Sequence, residues 1–213
     1  MEESLIDGIL TDGPERAELS SILDDALTNA RPQAKDLFAV QKRKAWDKSQ
    51  EARCDFQYRL RLTRRADTDF ISIWQKSPLG RTLTDIKSDP EMVGKFAEAL
   101  APVITAVLGR NLNRGGYAIV TSPKRRHKEL NFASSIGLAL QEMLGIPFIE
   151  DVATCRTKQR MNAVFDLNIK PTQPNLIVID DFVTTGNTIA SMRRLLEPLG
   201  FNLSFFAGIN NKL

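Results

Sequence analysis

Leu176-Ile177-Val178-Ile179-Asp180-Asp181-Phe182-Val183-Thr184-Thr185-Gly186-Asn187-Thr188 is the stretch of this 213-residue chain that says most about its fold. Four apolar residues bounded by polar ones read as a strand buried on both faces. Two carboxylates end it, and a turn of hydroxyls around one glycine follows. Ile189, Met192, Leu195 and Leu196 then recur at helical spacing, so the turn opens an amphipathic helix. A helix start offers unpaired N–H groups and a favourable dipole field, and Gly186 lets the backbone come close to a ligand. Thr184, Thr185, Gly186, Asn187 and Thr188 together make a dianionic phosphate the fitting guest. Asp180 and Asp181 would repel that phosphate, so sugar hydroxyls, a metal-bound ligand or developing positive charge are their partners. Phosphate on one side and hydroxyl-reading acids beside it suggest a sugar 5-phosphate. The bland reading is a helix capped by Thr184 with two solvated acids beside it.

Outward from that stretch, strands and helices alternate. Asp89-Pro90 starts a helix with Val93, Phe96, Ala97, Leu100, Ile104, Val107 and Leu108 on one face. Tyr117–Thr121 reads as a short buried strand. Phe132, Ile136, Ala139, Leu140 and Met143 form the next helical stripe, closed by Gly145. Ile146–Ile149 and Leu203–Ile209 are further strands. Apolar strands separated by helices predict an α/β fold, a mostly parallel sheet flanked by helices over residues ~85–213, with ligands at the carboxyl ends of the strands. Upstream, Phe56, Tyr58, Leu60 and Leu62 alternate with polar residues and FISIW follows a turn, which predicts a β-hairpin over 56–74. Two helices are expected before it, one after Asp12-Gly13-Pro14 and one over about 34–50. Ser77-Pro78-Leu79-Gly80 is the expected boundary between an N-terminal α+β extension, 1–80, and a core domain, 81–213.

The thirteen-residue stretch resembles the phosphoribosyl pyrophosphate (PRPP) motif of type I phosphoribosyltransferases: four apolar residues, two acids, two apolar residues, then Thr-Thr-Gly-x-Thr. The resemblance implies that Asp180 and Asp181 contact the ribose hydroxyls of PRPP and that residues 184–188 hold its 5-phosphate. It also implies the fold of that family, magnesium carried with PRPP, a nitrogenous base as acceptor and a homodimer. Residues 90–213 are most similar to the ComF-like branch, through TSPKRRHKELNF (121–132) and RTKQRMNAVF (156–165). That likeness makes the first segment the pyrophosphate loop, with Thr121, Ser122, Lys124 and Arg125 as donors to the leaving group. Arg156 and Lys158 would belong to a loop that closes over the site and adds positive charge. A solvated basic turn or a nucleic-acid patch is the alternative for the first segment, and an exposed loop for the second. His127 is a general-base candidate or a solvated side chain. The chain departs from the branch in lacking an N-terminal cysteine cluster, in reading Lys128-Glu129-Leu130-Asn131-Phe132 where Arg-Gly-Phe-Asn-Gln is usual, and in a short 156–162 segment. These departures keep open a non-catalytic PRPP or nucleotide sensor, or a ComF-like role in DNA uptake or processing.

Composition sets the outer limits. A net charge of +3 does not by itself mark a nucleic-acid binder. One histidine and two cysteines, Cys54 and Cys155, exclude an HExxH zinc site and a four-cysteine site. Eight acids within residues 1–30 face eleven Lys or Arg within 31–65, which makes residues 1–80 a candidate surface for nucleic acid or a protein partner; solvated helix faces are the plainer reading. No apolar run is long enough to span a membrane, and the acidic start lacks a basic leader, which together point to the cytoplasm.

Overall fold

The computed structural model describes residues 52–109, 112, 116–123, 131–155 and 164–211. The two helices expected before residue 50 lie outside these residues. The described residues belong to one compact unit, Glu51–Leu213.

Its centre is a six-stranded sheet. The described strands, six in that sheet and four in two small ribbons (β1–β4 and β7–β8), are β1 (Arg53–Cys54), β2 (Arg61–Arg65), β3 (Thr68–Gln75), β4 (Arg81–Thr82), β5 (Tyr117–Thr121), β6 (Phe148–Ile149), β7 (Ala153–Cys155), β8 (Phe165–Leu167), β9 (Asn175–Val183) and β10 (Asn202–Asn210). The helices are α1 (Leu83–Ser88), α2 (Glu91–Leu108), α3 (Phe132–Leu144) and α4 (Asn187–Leu196). The central order is β2-β3-β10-β9-β5-β6, parallel throughout except for the edge strand β2, which runs antiparallel to β3. The α/β fold with a mostly parallel sheet is therefore the fold observed.

Period-two alternation divides the side chains between two cores. Ile119, Ile177 and Ile179 pack with Phe96, Leu100 and Ile104 of α2 and Ile136 and Leu140 of α3. Ala118, Val120, Leu176 and Val178 pack on the opposite side with Ile189, Met192 and Leu196 of α4. Helices on both faces explain why the strands read as continuous apolar runs. Val107 and Met143, placed on buried stripes by the sequence, are about half exposed, while Met92 and Val103 take core positions instead. Among the described residues, no helix is long and apolar enough to cross a membrane.

The hairpin is present as β2 and β3, and it belongs to the central sheet: Ile71, Ser72, Trp74 and Gln75 of β3 pair in parallel with β10. The boundary expected at Ser77–Gly80 falls inside the unit. That Pro-Gly turn joins β3 to β4, and β4 pairs back with β1, so it reverses the chain within one domain. Gly80 has φ +90, and a Cβ there would lie 2.0 Å from the Cys54 carbonyl oxygen. The face carrying Tyr58, Leu60 and Leu62 is 60%, 48% and 74% exposed. The first strand expected from Phe56 begins only at Arg61, Phe56 has φ +55 and packs on the core, and nothing described covers Tyr58, Leu60 and Leu62.

Candidate active site

From β5 the chain passes through α3 to β6 at one edge, whereas from β9 it passes through α4 to β10 on the other side. The connections thus diverge between β5 and β9, and the crevice outside their carboxyl ends is where open α/β sheets bind ligands. Thr121 pairs with Ile179, so Ser122 follows on one strand as Asp180 follows on the other. Ser122, just after β5, and the turn after β9 therefore lie at the same end of the sheet on neighbouring strands.

Asp180 is buried within β9, which does not end at the acid pair but runs on through Val183 in pairing with β10. Burial, and then the charge of neighbouring Asp181, push its carboxyl well above the usual carboxylate range, while Lys87 acts in the opposite sense. Asp181 is half-buried. Its Oδ1 accepts from the Phe182 N–H at 2.8 Å, and its Oδ2 lies 2.6 Å from Nζ of Lys87. The pair is thus held in two environments, one carboxyl desolvated and one ion-paired. Phe182 and Phe132, both resting against buried Phe96, make an aromatic floor under this end of β9.

The turn that follows has Gly186 at φ +82 as the residue before α4, with no side-chain cap on the helix. Thr184 is not the cap: its Oγ1 accepts from Asn211 Nδ2 at 3.1 Å, and its carbonyl accepts from Arg65 Nη1 at 2.7 Å. Thr185 Oγ1 accepts from the Asn187 N–H at 3.4 Å. Thr184, Thr185 and Thr188 are exposed. An uncapped first turn with exposed hydroxyls beside it is a ready anion cradle.

Further polar groups on this side of the sheet are buried with no hydrogen-bond partner. They are Ser122 Oγ, just after β5, Ser134 Oγ, in the first turn of α3, and Asn211 Oδ1, just after β10. Buried polar atoms are ordinarily satisfied, so these are open to a ligand or water. Asn131 caps α3, accepting from the Ser134 N–H at 2.8 Å.

Of the residues singled out in the sequence, Asp180, Asp181 and Thr184–Thr188 are brought together on β9 and α4, with Thr121 and Ser122 on the neighbouring strand. Lys124, Arg125, His127, Arg156 and Lys158 lie outside the described residues. The flanks of the 156–163 segment are described: β7 and β8 form a two-stranded antiparallel ribbon closed by the Cys155–Phe165 pair. Sequence reasoning missed Lys87, Arg65, Asn210 and Asn211. Asn210 and Asn211 carried one available signal, lying just past an apolar strand of a parallel sheet.

No family model matches the chain, and no curated protein matches it. Among solved structures, it is similar to adenine phosphoribosyltransferase from Saccharomyces cerevisiae, at 18% identity over 77% of this chain and 88% of that one, with a TM-score of 0.44. It is also similar to orotate phosphoribosyltransferase from Aeropyrum pernix, at 14% identity over 78% and 80%, TM-score 0.42. A third is a hypoxanthine-guanine phosphoribosyltransferase from Bacillus anthracis, at 13% identity over 57% and 79%, TM-score 0.40.

Proposed function

We propose that the chain binds PRPP in the crevice between β5 and β9 and transfers its phosphoribosyl group to a nitrogenous base, releasing pyrophosphate. One observation carries this reading: an acid pair near the carboxyl end of β9, one member buried, precedes an uncapped, glycine-led helix start at the divergence of the sheet. In this reading residues 184–188 hold the 5-phosphate, and Asp180 and Asp181 read the ribose hydroxyls. The base nitrogen bonds to C1 of the ribose as the C1–oxygen bond to pyrophosphate breaks. The leaving group keeps the electron pair, and the base releases its proton to solvent.

Positive charge grows on the ribose in that step, and the acid pair stands where it would be stabilised. Thr121 and Ser122, with Lys124 and Arg125 of the adjoining loop, serve the departing pyrophosphate. Arg156 and Lys158, which follow β7 in the sequence, would add positive charge for the leaving group. Among the described residues, no cluster of three His, Cys, Asp or Glu side chains could hold a metal alone. Magnesium suits a site of one or two carboxylates when substrate phosphates supply the remaining oxygens, so these residues fit an ion carried on PRPP. When bound, that ion neutralises charge on the leaving pyrophosphate.

The test is calorimetric titration of PRPP with magnesium into wild type and an Asp180→Asn/Asp181→Asn variant, followed by pyrophosphate release with a panel of bases. Binding by wild type that weakens in the variant supports the site. A folded wild type that takes no PRPP overturns it. A second reading is a non-catalytic PRPP or nucleotide sensor, including a ComF-like role in DNA uptake or processing, with residues 1–80 meeting nucleic acid or a protein. The altered Lys128–Phe132 stretch and the short 156–162 segment favour it. PRPP binding without pyrophosphate release from any base would support it, as would salt-dependent DNA binding.

A further inference from the structure

The turn of the β2–β3 hairpin lies against the phosphate turn, although 119 residues separate Arg65 from Thr184. Arg65 Nη1 donates to the Thr184 carbonyl at 2.7 Å, and Nη2 donates to Asn210 Oδ1 at 2.7 Å. Asn210 Nδ2 passes the link to Gln75 Oε1 at 2.9 Å, and Gln75 Nε2 donates to Ser72 Oγ and to the Arg59 carbonyl, each at 3.0 Å. Asn211 holds Thr184 from its other side through Oγ1. The backbone contact is equally close: a Cβ on Gly186 would lie 2.6 Å from Arg65 Cβ and 3.2 Å from its carbonyl oxygen. About two turns further along α4, Arg193 donates to the Asp67 carbonyl and pairs with Glu197. The hairpin turn is therefore fastened to the cradle through Arg65 and to the body of α4 through Asp67.

We propose that Arg65 is the positioning residue of this cradle for a phosphomonoester. By holding the Thr184 carbonyl it fixes the strand-to-helix turn, so that the N–H groups and hydroxyls of 185–188 stay presented to the anion. Its two-pronged grip sets a cation that stays protonated at neutral pH beside the phosphate position. A lysine ammonium is a point donor and does not reproduce two parallel bonds in one plane. This role deepens the PRPP reading and rests on it only for the identity of the ester.

The test compares wild type, Arg65→Ala and Arg65→Lys by calorimetry with ribose 5-phosphate, pyrophosphate, and PRPP with magnesium, with thermal melts of each apoprotein. Ribose 5-phosphate affinity should fall about tenfold in R65A, and R65K should recover little of it, as expected for a lost charge-assisted bond. Pyrophosphate affinity should be unchanged, which a general loosening of the fold would not give. If R65A proves unfolded, R65K alone carries the comparison. Undiminished ribose 5-phosphate affinity in the variant, or equal loss for pyrophosphate, overturns the role of Arg65. Wild type that takes ribose 5-phosphate in an Arg65-dependent way but refuses PRPP overturns the transferase reading and supports this one. Wild type that takes neither overturns both.

Discussion

The ammonium nitrogen of Lys87, in the last turn of α1, lies 2.6 Å from Oδ2 of Asp181 and 4.6 Å from the centre of the Phe182 ring. A six-residue helix thus delivers one cation to an otherwise acidic strand end. It supplies the charge that keeps two adjacent carboxyls from being wholly unfavourable there.

Replacing Lys87 with Met keeps the length of the side chain and removes its charge. Asp180 then holds its proton to higher pH, because the Lys87 counter-charge acting on it is gone. PRPP affinity should fall several-fold, and more at pH 6 than at pH 8, since Asp180, whose carboxyl is raised, is less ionised at the lower pH. Calorimetry at the two pH values measures this. Tighter binding by K87M would instead mean that Lys87 competes with the ribose for Asp181.

Asp180 itself should trade stability for function. Its carboxyl titrates higher in the folded chain than in the unfolded one, so the unfavourable contribution is absent below about pH 4, grows as pH rises, and is complete above the folded value. Asp180→Asn should therefore melt higher than wild type at pH 7.5, by about 2–4 °C, the shift that roughly 1 kcal/mol produces in a chain of this size. The gain should shrink towards pH 4. Calorimetric melts across that range decide it, and a gain independent of pH would refute the cause assigned. PRPP affinity should drop in the same variant.

Ala66 and Asp67 form the hairpin turn with φ of +45 and +65. Two positive φ values suit the right-handed twist of the flanking strands, but a Cβ at Ala66 is disfavoured there. Ala66→Gly should stabilise the domain by about 0.5–1 kcal/mol, the left-handed strain less the added backbone entropy. A urea midpoint that rises with an unchanged slope is the expected result. A lower midpoint would place the entropy term ahead of the strain.

What the sequence could reveal divides along physical lines. β9, its turn and α4 are contiguous, and each announces itself locally: a doubly buried strand by its apolar run, a helix start by its turn residues. The placement of Asp180, Asp181 and residues 184–188 along one strand, turn and helix start was legible for that reason. Lys87, Arg65 and Asn210 were not, because each acquires its partner through chain folding rather than through spacing. Arg65 and Asn210, for example, are 145 residues apart. The hairpin shows the same limit. Phe56, Tyr58, Leu60 and Leu62 revealed a strand-like alternation, yet membership of the central sheet depends on β10 lying beside β3, which no local pattern encodes.

β10 stands between β3 and β9, and it is made after both. Gln75 and its partner Asn210 are 135 residues apart, so β3 waits for a neighbour made that much later to satisfy one edge of its backbone. Until then the sheet exists as two unjoined halves, each with an open edge able to pair with the wrong chain. Assembly must close a very long loop before the central pairing returns any free energy, which favours slow folding. The same late strand carries Asn210, and Asn211 follows it, so the phosphate turn is braced only when the sheet itself is complete.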